Sequence, residues 1–104
     1  MEITRFNTKE AIEYGMKEAI LIEYFRCWIG LNKKKNVNTK NGKTWFYNAC
    51  SEISSNFGFM SEQTVRNTIN SLIKQGVLIS GNYNKVRFDR TLWYAFADEE
   101  KFLS

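Results

Sequence analysis

A mainly α, α+β fold follows from three features of the 104-residue sequence. Apolar residues recur at helical spacing through 16–32 and again through 61–75. After Gly76 the pattern turns β-prone, with VLISGNY at 77–83 and TLWYAFA at 91–97 on either side of a short basic segment. Proline is absent, so Asn, Ser and Gly must mark the ends of elements. A composition 43% hydrophobic and 15% aromatic supplies one folded domain, residues 1–104, without disulfide help.

Residues 1–6 read as a lead-in. Asn7 and Glu10 stand at capping-box spacing and open a short helix to Tyr14, which Gly15 ends. The longest helix is expected from Met16 to about Asn32. Met16, Ala19, Ile20, Phe25, Trp28 and Ile29 mark one side of it, while Leu21, Ile22, Tyr24 and Leu31 widen the apolar arc. A helix apolar over more than half its circumference is a scaffold for the other elements. Residues 33–43, KKKNVNTKNGK, read as a loop with a turn signal at Asn41-Gly42, serving either as a solvated connector or as a phosphate contact.

Thr44–Tyr47 is short and β-prone. Asn48 is placed to cap a helix from Ala49 to Asn56, and Gly58-Phe59-Met60 separates it from the next one. That next helix, 61–75, carries its own signals. Ser61 suits the N-cap, Glu62 suits the positive end of the dipole, and Gly76 suits the left-handed C′ position. Val65, Ile69, Leu72 and Ile73 form its inner stripe, opposite Gln63, Asn67, Asn70, Ser71 and Lys74, with Arg66 at the flank. A helix-turn-helix at about 48–75 followed by a β-hairpin at about 77–97 with a basic tip is the order of a winged helix-turn-helix. Asp98–Ser104 is an acidic tail from which Phe102 and Leu103 are expected to pack back.

The net charge is +4, and its surplus is local. Lys33, Lys34, Lys35, Lys40 and Lys43 crowd into 33–43 with no acid, and Lys85, Arg87 and Arg90 face only Asp89 in 82–90. Catalysis is not expected, since there is no histidine to act as general base and no phosphate loop or ligand cluster. No metal and no cofactor are expected either. Cys27 and Cys50 read as buried free thiols of a reducing compartment. No apolar run approaches the roughly 18 residues a membrane span needs, so a cytoplasmic protein without a membrane partner is expected.

Residues 44–97 also resemble a known family, the winged-helix domain of phage and plasmid replication-initiation proteins of the replisome-organiser type. The resemblance rests on Trp45 and Tyr47, on Ser61 to Leu72, on Gly76-Val77-Leu78-Ile79 leading into Gly81-Asn82-Tyr83-Asn84-Lys85, and on Asp89-Arg90-Thr91 with Trp93-Tyr94-Ala95. It implies duplex DNA binding, with the 61–75 helix in the major groove and the wing on backbone or minor groove. Such initiators continue into a helicase-engaging region, whereas this sequence stops soon after the wing, so DNA reading without helicase loading is the expectation. Replication and transcription regulation are both compatible with it.

Helical geometry then assigns Gln63, Arg66, Asn67 and Asn70 to base edges, and Ser61, Thr64, Ser71 and Lys74 to phosphates. Lys85, Arg87 and Arg90 would add contacts from the wing. Trp45, Tyr47, Trp93 and Tyr94 are expected to be structural rather than to stack on bases. The alternative reading is a small phage-encoded inhibitor of the anti-CRISPR kind, or an interaction module that grips a host protein or nucleoprotein complex. An exposed apolar patch on helix 16–32, or a homodimer through it, would support that alternative.

Overall fold

The structure, a computed structural model, describes residues 6–85 and 91–103. It is mainly helical with small antiparallel sheets. Helix α1 (Thr8–Tyr14) opens on Asn7, whose side chain accepts from the Glu10 amide at 3.1 Å. The reciprocal half of the capping box is absent, because the Glu10 carboxylate accepts from Arg26 instead. Gly15, at φ 117°, ends α1 and begins α2 (Met16–Lys35) without a linker. That positive φ is a conformation side chains rarely adopt, so the tight corner favours glycine.

The scaffold helix α2 buries Ala19, Ile20, Leu21, Ile22, Tyr24, Phe25 and Ile29. Met16 does not join them and is 61% exposed. The helix also runs three residues past its expected end at Asn32. Lys33, Lys34 and Lys35 are good helix formers at the negative end of the dipole, and Asn36 takes the left-handed cap at φ 57°. The segment read as a loop is thus a helix end followed by a hairpin, β1 (Thr39–Lys40) and β2 (Lys43–Thr44). Asn41 and Gly42 both sit at positive φ between the two strands, as a two-residue hairpin turn demands.

Strand β3 (Phe46–Tyr47) leads to α3 (Cys50–Phe57). The expected cap at Asn48 is shifted. Ala49 holds the N-cap position and makes no side-chain cap bond, while Asn48 accepts from the Ala49 amide. Gly58, at φ 74°, ends α3, and the turn to α4 (Glu62–Lys74) is fastened where Ser54 Oγ donates to the Met60 carbonyl at 2.6 Å. Strands β4 (Leu78–Gly81) and β5 (Trp93–Phe96) complete a three-stranded antiparallel sheet of order β3-β5-β4. Helix α5 (Glu99–Leu103) folds back, stacking Phe102 on Phe96 with ring centroids 5.1 Å apart.

The central strand of the sheet, β5, is covered on both sides. Phe46, Leu78, Tyr94 and Phe96 join the main core with α2, α3 and α4. On the other face, Trp45, Trp93 and Ala95 form a second cluster against Ile79 and Tyr83. The β1–β2 hairpin is tied to that cluster. Trp45 Nε1 donates to the Lys40 carbonyl, and Asn41 Nδ2 donates to Tyr83 Oη. Strand β5 is therefore buried at all four positions, where strict alternation would leave every second residue wet. Cys50 is buried, but Cys27 is exposed, against the expectation of two buried thiols; both are free. Among the described residues no helix is long and apolar enough to cross a membrane.

Candidate nucleic-acid interface

Helix α4 is held by its inner face and bare on its outer one. Val65, Thr68, Ile69 and Leu72 are buried, whereas Gln63, Arg66, Asn67, Asn70 and Lys74 are exposed. At about 100° per residue, Gln63, Asn67, Asn70 and Lys74 fall within about 40° of the direction opposite Val65. They make one narrow polar stripe. Gln63 Nε2 donates to Asn67 Oδ1 at 2.9 Å, a bond that leaves the Gln63 Oε1 acceptor and the Asn67 Nδ2 donors unspent. One acceptor and one donor side by side are the complement of an adenine edge.

The flanks of α4 differ from the stripe. Arg66 donates to Glu62 at 2.8 Å across one helical turn, so its charge is locally offset. On the other flank the hydroxyls are engaged within the helix. Ser61 Oγ accepts from the Thr64 amide at 3.1 Å and donates to Thr64 Oγ1, as the N-cap it was expected to be. Half-buried Ser71 accepts from Gln75, whose side chain also donates to the Tyr14 carbonyl. Of the eight expected α4 contacts, the four of the stripe are therefore the ones that stand together in solvent.

The C-terminal hairpin adjoins this helix. Arg66 and Glu62 share a shallow depression of about 370 Å³ with Asn48, Thr91, Leu92 and Tyr94, which brings the α4 flank to the return arm of the hairpin. The base of the hairpin is latched by Asn84. Its Nδ2 donates to the Thr91 carbonyl and to Asn82 Oδ1, both at 2.7 Å, and its Oδ1 accepts from Trp93 Nε1 at 2.8 Å. Lys85 is exposed beside it. Arg87 and Arg90 lie outside the described residues.

The lysine segment is partly committed to the fold. Lys33 pairs with Glu99 at 3.1 Å, and Lys43 donates to the Ala97 carbonyl at 2.9 Å. Lys34, Lys35 and Lys40 are exposed. Trp45, Trp93 and Tyr94 are buried as expected of structural aromatics, but Tyr47 is 48% exposed. Tyr94 is the most perturbed of the described tyrosines, its hydroxyl pushed up to about pH 12 by burial and then by the nearby Cys50. Among the described residues no three His, Cys, Asp or Glu side chains gather as a metal site. No family description, no curated protein and no solved structure matches this chain.

Proposed function

We propose that the chain is a winged-helix protein that binds duplex DNA, with α4 in the major groove and the β4–β5 hairpin on adjacent backbone or minor groove. The observation that carries this reading is the exposed polar stripe Gln63–Asn67–Asn70–Lys74, contiguous through Arg66 with the hairpin base. Amide side chains supply base-edge complementarity, and the cations at Lys74, Lys85, Arg87 and Arg90 supply phosphate contacts. The blocks that resemble those of replication-initiation proteins fit the same reading, and from that resemblance comes the phage or mobile-element role in replication or regulation.

The test is duplex binding across a salt series. Four phosphate contacts predict a slope of log K on log salt of roughly −3 to −4. Lys74→Gln should flatten that slope by about 1, and Asn67→Ala should lower affinity for a preferred site by about tenfold while sparing random duplex. Absence of binding at low salt would falsify the proposal. It would favour the second reading, an inhibitor or interaction module of a host protein, which the exposed apolar pair Ile12 (83%) and Met16 (61%) at the α1–α2 corner supports.

A further inference from the structure

The outer face of the sheet holds a surface that duplex reading by α4 leaves unused. Tyr47 and Trp93 are cross-strand partners on that face, their rings stacked at 4.7 Å and 23°. Trp93 is buried and fixes one side of the Tyr47 ring, yet Tyr47 itself stays half exposed. The pair borders an open cleft of about 800 Å³ between residues 36–40 and the start of the C-terminal hairpin. That volume lies within the roughly 300–1,000 Å³ typical of small-ligand sites.

The walls of the cleft are polar and basic. Asn36, Asn38, exposed Lys40 and exposed Lys85 line it together with the aromatic pair. Its described lining contains no carboxylate. Asn36 and Asn38 both adopt the left-handed conformation that Asn tolerates, and the Asn38 carbonyl accepts from the Trp45 amide, which fixes this wall to the sheet.

We propose that this cleft binds an unpaired nucleotide of a single nucleic-acid strand. The base stacks on Tyr47, the Asn36 and Asn38 amides meet its edge, and Lys40 and Lys85 meet the flanking phosphates. A stacked aromatic within a cationic groove is the chemistry that holds single strands with little sequence preference. An apolar protein partner would instead strip water from two ammonium groups and two amides without replacing their hydrogen bonds. Lys85 is shared with the proposed duplex contacts, but Tyr47 and Lys40 are not, so variants at those two positions separate this site from the duplex site.

The experiment is fluorescence anisotropy of end-labelled 12-mers of deoxythymidine and of uridine, with a duplex titrated in parallel. The native chain is expected to bind the deoxythymidine strand. Tyr47→Ala should weaken that affinity about tenfold or more, Tyr47→Phe should retain it, and Lys40→Gln should weaken it several-fold. Duplex affinity should stay unchanged in all three. Comparable uridine binding assigns the site to either kind of strand, and weaker uridine binding assigns it to DNA. The proposal is overturned if the native chain binds neither strand, or if folded Tyr47→Ala binds as tightly as native. Should Tyr47→Ala fail to fold, unchanged affinity in Lys40→Gln overturns it alone.

Discussion

Asn84 holds the C-terminal hairpin shut at its base, and no helical or strand period marks it for that task. Its amide bonds at once to the Thr91 carbonyl and to the Trp93 indole. Asn84→Ala leaves the buried indole N–H without this acceptor, so a loss of about 1–3 kcal/mol in urea unfolding is expected, with a red-shifted tryptophan emission. Gly81 acts beside it, since a β-carbon there would stand 3.3 Å from the Trp45 ring. Much of the motif block from Gly81 to Lys85 thus has a structural explanation. The buried tyrosines set a second residue-scale expectation. Tyr94, raised to about 12, keeps its proton between pH 10 and 12, where an unfolded tyrosine has lost it. The unfolded state then binds fewer protons, and stability falls as pH rises through that window. Tyr24, raised chiefly by burial, adds to the fall in the same direction. Thermal melts from pH 9 to pH 12 should show the decline, and Tyr94→Phe should reduce it.

At the scale of elements, the legible parts were those whose signals are local. Ser61, Gly58 and Gly76 mark their helix ends through backbone chemistry contained within a few residues, and each stands where its residue type requires. Within the lysine segment the Asn41-Gly42 turn is legible but the hairpin around it is less so, because Asn41 is held by Tyr83, 42 positions away, besides the nearby Trp45 indole that donates to Lys40. For the same reason the sheet's second aromatic face was invisible to an alternation rule that assumes one wet side. Tyr47 followed the pattern of Trp45 in the sequence, yet only Trp45 is covered, because Tyr83 packs edge-on against it at 5.0 Å. The two faces of α4 can be told apart by stability. Leu72→Ala, at a fully buried site, should cost about 2–5 kcal/mol in urea unfolding. Asn70→Ala, on the exposed stripe, should change stability by less than about 0.5 kcal/mol.

Across the whole molecule, the placement of charge matters more than its sum. Two of the five lysines in 33–43 are tied to the C-terminal segment through Glu99 and Ala97, and Arg66 is offset by Glu62. Exposed Lys74 ends the α4 stripe, and exposed Lys40 and Lys85 line the cleft on the outer sheet face, so the proposed contacts draw on cations that the fold leaves in solvent. The measurement that bears most directly on this account is NMR mapping of isotope-labelled protein titrated with a short duplex. The side-chain amides of Gln63, Asn67 and Asn70 and the backbone of residues 82–85 are predicted to shift together and saturate together. Shifts confined to the α1–α2 corner around Ile12 and Met16, or no shifts at low salt, would contradict it.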